Sequence, residues 1–289
     1  MKNKIILCAF ASPDLILSAK RVIKQAKQTK IYDDIKICSI NDLTKIEKNK
    51  LQKIIKKEDG KRGYGYWSWK PLIIKKLLSK MKKGDILHYV DVGCHIELKA
   101  IERLNYYIKK VIKSKKGILA FQFHKLRDKE KKFTFPVRKE YMYTKSDLLK
   151  YFKIIKDKKV THTPQFAAGC IFFKKNNFTL NFVDSWSKVF KDNLKLVDDS
   201  PSKIKNFKGF IEHRHDQSVF SILCKKKKIE RLSAFEVDWV YLRSNNQRTW
   251  EHNSHCPVLL KRDLKYNLFR RFLNRQRKTL NRLSKRVKL

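Results

Sequence analysis

Long hydrophobic runs are missing from this sequence: no window of the 289 residues approaches the ~18 apolar positions that a membrane span needs. The apolar stretch of the N-terminus, MKNKIILCAFASPD, is too short for a signal h-region followed by a cleavage site and reads as a first strand. The six cysteines (Cys8, Cys38, Cys94, Cys170, Cys224, Cys256) form no CxxC and no paired spacing. That excludes a disulfide frame or a zinc finger and predicts reduced core thiols in a cytosolic protein. No GxGxxG follows the first strand, which argues against a dinucleotide-binding domain. Helix-turn-helix and RNP patterns are also lacking, so no specific nucleic-acid partner is expected. Acid is scarce: 27 Asp+Glu stand against 70 Lys+Arg, a formal charge of +43. The excess points to anionic partners, although a Lys- and Ile-rich, Ala-poor composition also arises from AT-rich coding DNA.

Hydrophobic residues make up 42% of the chain, enough for a sizeable core. Lys4 to Ala11 reads as a strand, Ser12 to Thr29 as a helix, Ile35 to Ile40 as a second strand and Asp42 to Lys57 as a second helix. Strand and helix alternating in this way open an α/β fold with a mostly parallel, Rossmann-like sheet. In the GDILHYVDVGCHIE stretch (84–97), Ile86 to Val90 is a short β-branched and aromatic run closed by Gly93, a buried strand with Asp91 at its end. Ligands of open α/β sheets collect beyond the carboxyl ends of strands, and a glycine there lets a ligand approach the backbone. Upstream, RGYGYWSWKP (62–71) packs Tyr66, Trp67 and their aromatic neighbours between Arg62 and Lys70. Such a segment offers flat faces for a base or sugar and charge for phosphates, or else wedges the helix from Pro71 onto the sheet.

Later, the charged stretch 124–143 reads as a mobile surface excursion, and QFAAGCIFF (165–173) as small residues, among them Gly169, feeding a buried strand. Asp216 falls at the start of a helix, as a cap or a functional carboxylate, with His213 and His215 beside it as ligands or, the favoured reading, polar surface. Residues 230–242 read as strand, and His252 and His255 lie in a loop. From Lys261 to Leu289 there are twelve Lys/Arg and one acid, with Leu264, Leu268, Phe272, Leu280, Leu283 and Val287 roughly on one helical face. A basic amphipathic helix of that kind lies on anionic membrane surface. The expected organisation is one catalytic domain over 1–257 and a basic helical segment over 258–289.

YGYWSWKP, YVDVGCHIE, QFAAGCIFF and HRHDQS, in that order, resemble the GT-A-fold glycosyltransferases, especially bacterial enzymes of surface polysaccharide (capsule or lipooligosaccharide) biosynthesis. The resemblance spans about residues 1 to 257. It implies a nucleotide-sugar donor, a glycan or lipid-linked acceptor, and a place on the inner face of the cell membrane. It further implies a donor site at Arg62, Tyr66, Trp67, Lys70, Asp91, Gly93 and Gly169, with Asp216 as the base that activates the acceptor. Relatives commonly bind Mn²⁺ or Mg²⁺ through Asp-x-Asp. Here the triplet is Asp91-Val92-Gly93, so a metal would rest on Asp91 with His252 or His255, or cationic side chains would neutralise the diphosphate instead. YVDVGC also resembles the first motif of S-adenosylmethionine methyltransferases, and the charge alone would suit a non-enzymatic nucleic-acid-binding protein.

Overall fold

The computed structural model describes residues 3–57 and 62–261. β1 (Ile5–Phe10) leads through a 3-10 turn into α1 (Ile16–Thr29), β2 (Asp34–Cys38) and α2 (Lys45–Lys56). The first turn of α2 is closed by a capping box between Thr44 and Glu47, which satisfies two of the helix's orphan N–H groups. There follow α3 (Trp69–Lys80), β3 (Ile86–Val90), β4 (His95–Ile96), α4 (Ile101–Lys113), β5 (Ile118–Gln122), β6 (Phe133–Thr134), α5 (Ser146–Tyr151) and α6 (Lys158–Thr161). The described chain closes with β7 (Phe166–Lys174), α7 (Asn177–Asp192), α8 (His215–Lys226), β8 (Glu230–Ser233), β9 (Val240–Leu242), β10 (Arg248–Thr249) and β11 (Val258–Leu259).

Six strands form the central sheet in the order β2-β1-β3-β7-β5-β8, parallel throughout except for β7, which runs against both β3 and β5. The middle strands are buried on both faces, and their side chains divide between two cores with a period of two. Leu87 and Tyr89 of β3, with Ile171 and Phe173 of β7, face one core; Ile86, Val90, Cys170 and Phe172 face the other. The α/β class and the mostly parallel sheet are thus as the alternation of the sequence predicts. All six cysteines are buried and free.

Two topological facts place a cleft. After β1 the chain turns to β2 on one side, then returns to lay β3 on the other, so a switch point opens between the carboxyl ends of β1 and β3. Because β7 is antiparallel, its first residues, not its last, reach the same edge. The amino end of β7 therefore joins the carboxyl ends of its neighbours along one rim.

Several expectations are corrected. Segment 124–143 is irregular, but Arg138 and Glu140 within it are 5% and 0% exposed, so its last part belongs to the interior. Residues 230–242 are not one strand: a 3-10 turn, Ala234–Glu236, separates β8 from β9. His213 and His215 are buried rather than surface groups. Just past residue 257, β11 pairs with β4. The basic helix expected over 261–289 lies outside the described residues, apart from Lys261.

Candidate functional site

A cleft of about 820 Å³ runs along that rim. At one end, beyond β1, it is walled by Phe10, Ser12, Asp14, Tyr64, Trp67 and Trp69; at the other, by Phe123, Arg138, Trp239, Arg248 and Trp250. Between the two ends lie Lys70, Asp91, Gly93, Gly169 and Asp216.

Lys70, 2% exposed, stands at the centre. It enters from the first turn of α3, and its ammonium lies 2.6 Å from Asp216 Oδ2 and 3.2 Å from Asp91 Oδ1, while donating to the carbonyl of Ala168 at 3.1 Å. Burial opposes the charge on Lys70, yet the two carboxylates more than offset it and raise its pKa, so it is an ammonium throughout the physiological range. Asp91, at the end of β3, also accepts from the Tyr89 hydroxyl at 2.8 Å. Gly169 makes room for that carboxylate: a Cβ there would sit 2.9 Å from Asp91 Oδ2, and the Gly169 carbonyl accepts from the Asp91 amide at 2.8 Å.

Asp216 is in the first turn of α8 but not at its cap position, which is Arg214, and the Asp216 carboxylate turns to Lys70. Burial pushes its pKa up to about 6, against the pull of Lys70. The helix start is strained, since His215 adopts a left-handed φ of 47°. His215 donates through Nδ1 to the Val197 carbonyl at 2.6 Å, and burial lowers its pKa.

Against His215 packs an unusual backbone. Gly63, Tyr64, Gly65, Tyr66 and Trp67 all have positive φ, between 52° and 91°, a single left-handed turn. Such backbone costs roughly 1–2 kcal/mol per non-glycine residue, and packing holds it. Trp67 stacks on His215 at 5.6 Å, Tyr66 meets the same ring at 5.2 Å, and Trp69 stacks on Phe10 at 3.8 Å while its indole N–H donates to the Gly63 carbonyl at 3.2 Å. Arg62 is tied to Asp199 at 2.8 Å and Glu212 at 3.7 Å.

Of the residues singled out in the sequence, Arg62, Trp67, Lys70, Asp91, Gly93, Gly169 and Asp216 come together in this cleft. Tyr66 does not: it is 4% exposed and packs inward, and Tyr64 lines the cleft in its place. His252 and His255 are likewise outside the lining. His252 gives its Nε2 proton to the carbonyls of Phe235 (2.7 Å) and Asp238 (3.0 Å), so the expected ligand set of Asp91, His252 and His255 is not assembled. Among the described residues no three His, Cys, Asp or Glu groups are placed to hold a metal, and the two carboxylates at the centre are bridged by an ammonium. These residues do not fit Mn²⁺ or Mg²⁺. The sequence reading missed Phe10, Ser12, Arg138, Arg214, Trp239, Arg248 and Trp250; only the aromatic-basic composition of 239–250 hinted at the last three.

No protein-family model matches the chain, and no curated protein matches it. Among solved structures, it is similar to mouse xyloside xylosyltransferase 1 in its apo form (9% identity, 89% of this chain and 96% of that one, TM-score 0.44). It is also similar to a glycosyltransferase involved in the glycosylation of the major capsid of PBCV-1 (9%, 89% and 92%, TM-score 0.45). A third is the galactosyltransferase LgtC in complex with donor and acceptor sugar analogues (9%, 82% and 75%, TM-score 0.37).

Proposed function

We propose that this chain is a GT-A-like glycosyltransferase that moves a sugar from a nucleotide donor to a glycan or lipid-linked acceptor. The observation that carries this reading is the Asp91–Lys70–Asp216 centre in the middle of a cleft at the sheet's switch point. A methyltransferase is not favoured, because Asp91 ends the third strand rather than the first and engages a buried lysine.

The nucleoside lies at the β1–β3 end, against Phe10, Ser12, Tyr64 and Trp67, where flat rings face an open pocket. Transfer breaks the bond between the anomeric carbon and the diphosphate, and the electron pair leaves with the diphosphate. Lys70, Arg62 and Arg214 line the cleft to stabilise that growing charge. The acceptor oxygen forms the new bond to the anomeric carbon from the other end, and its proton passes to Asp216. A carboxylate with a pKa near 6 is ionised at neutral pH yet more basic than an ordinary aspartate. One displacement of this kind inverts the anomeric centre.

Capsule or lipooligosaccharide as the product, and attachment to an anionic membrane through residues 258–289, are part of the same proposal. Among the described residues no helix is long and apolar enough to cross a membrane. The test is a panel of nucleotide sugars incubated with the full chain, with free nucleoside diphosphate as the readout. Hydrolysis of one donor class supports the reading; release from none of them, with the protein folded, rejects it.

A further inference from the structure

Six cations line the cleft, and four of them are matched by carboxylates. Lys70 has Asp91 and Asp216, Arg138 has Asp238, Arg62 has Asp199 and Glu212, and Arg214 has Glu212 at 3.3 Å. Among the described residues Arg248 has no such partner, and Lys261 only a distant one outside the cleft lining. Arg248 is exposed and, among the described residues, makes no ion pair; Lys261 comes only within 4.0 Å of Glu97.

Both are nevertheless held in place. The Arg248 guanidinium lies 4.2 Å from the Trp239 ring centroid, and the Lys261 ammonium 5.9 Å from that of Trp250. A cation resting on an indole keeps its charge while losing rotational freedom before any ligand arrives. Trp239 is itself fixed: Arg138 lies 4.9 Å from the same ring and is bonded to Asp238, the residue before it. The turn that precedes Asp238 is clamped to α4 by Arg103, which grips Glu236 through two nitrogens at 2.9 and 2.7 Å. Arg248, with no ion pair among the described residues, and Lys261, with only the 4.0 Å pair to Glu97, thus line the cleft as pre-positioned cations, Arg248 beside Trp239 at the end away from the β1–β3 switch point.

Resting on the transferase reading above, we infer that the acceptor is an anionic saccharide, one bearing a carboxylate or a phosphate that Arg248 and Lys261 receive. A neutral acceptor has no use for a guanidinium left without an ion pair beside a loosely paired ammonium, whereas a guanidinium presents paired donors that match both anions. Arg248 and Lys261 are then the residues that set acceptor specificity.

Binding of small probes tests this on the full chain at physiological salt. Methyl glucuronide is compared with methyl glucoside, and glucose 6-phosphate with glucose, by saturation-transfer NMR and calorimetry. The expected result is that one acidic probe binds at least tenfold tighter than its neutral counterpart, and that Arg248→Gln and Lys261→Gln each remove most of the preference. Which probe wins identifies carboxylate or phosphate. Because Arg248 is one of 70 basic residues, a preference that survives both substitutions is diffuse attraction and overturns the inference. So does equal binding of acidic and neutral probes. Loss of nucleoside diphosphate affinity in Arg248→Gln as large as the loss of acidic saccharide also overturns it, by moving this end to the donor. Donor hydrolysis by the wild-type chain is scored separately, so failure of the transferase reading is distinguishable from failure of this one.

Discussion

Lys70 is the residue on which the centre depends. Two carboxylates, one of them buried, are tolerable together only because an ammonium stands between them. Lys70→Met removes it and leaves like charges in a low dielectric, which typically costs about 3–5 kcal/mol. Urea unfolding at pH 7 is expected to show a loss of that order; an unchanged midpoint would mean that the carboxylates are not held as an ionised group. Gly169 is required for a different reason. Its backbone is ordinary, but Gly169→Ala would place a methyl 2.9 Å from both Asp91 Oδ2 and Leu260 Cδ2. The carboxylate must then shift, so turnover is expected to fall at least tenfold, while the thermal midpoint moves by only a few degrees. A loss of the fold in parallel would mark the glycine as a packing position. Asp91 and Asp216 were legible in the sequence by their places at a strand end and a helix start. Lys70 was placed with them only by resemblance; that its ammonium would stand between the two carboxylates was not legible, since it depends on the first turns of α3 and α8 meeting beside β7, residues far apart in the chain.

Among the elements, the left-handed turn over 63–67 separates what sequence can and cannot show. Two glycines among aromatics signalled an unusual connection, and the segment divides between core and cleft: Tyr66 packs inward, Tyr64 and Trp67 line the cleft, and Trp69 is buried at its wall. The handedness itself was hidden, because Tyr and Trp ordinarily avoid positive φ. Only packing against His215 and Phe10 holds them there. Gly63→Ala would build a Cβ 2.3 Å from the Trp67 ring at a φ of 58°. A destabilisation of about 1–3 kcal/mol is expected, with Trp67 displaced from His215 and donor affinity reduced. Calorimetric unfolding and nucleotide titration read the two effects; normal donor binding would detach the turn from the donor end. The strands and long helices were far easier, since their apolar periods of 2 and 3.6 are local. The β9–β10 wall was obscured by its length, two or three residues per strand, below what any period resolves.

At the scale of the molecule, buried titratable groups make stability depend on pH. His88, His213 and His215 are all held neutral by burial, His88 with a pKa of about 3. An unfolded histidine takes up its proton near 6.5, so on acidification the unfolded state binds protons that the folded state refuses. The stability these groups supply is complete above about pH 6.5 and is lost as pH falls towards 3. Asp216 acts in the opposite sense. Its folded pKa of about 6, against 3.8 unfolded, gives stability that is full below 3.8 and lost as pH rises through 6. Three histidines against one carboxyl leave a net acid lability. The urea midpoint is expected to be lower at pH 5 than at pH 7, and His88→Gln to narrow the difference; a flat profile in the wild type would contradict the burial of these rings. The charge excess of +43 was plain from composition, but not that the cleft would hold its acids and bases nearly in balance.

The central claim, that the Asp91–Lys70–Asp216 centre carries out sugar transfer, is tested most directly by turnover and donor affinity in Asp216→Asn and Asp91→Asn, using the donor identified from the panel. Asp216→Asn is expected to lower kcat at least a hundredfold, about 2.7 kcal/mol in the barrier, with donor Kd nearly unchanged and the acid limb near pH 6 abolished. Asp91→Asn is expected to lose both turnover and donor binding. If either folded variant keeps more than about a tenth of wild-type turnover, a barrier change below ~1.4 kcal/mol, the chemistry lies elsewhere.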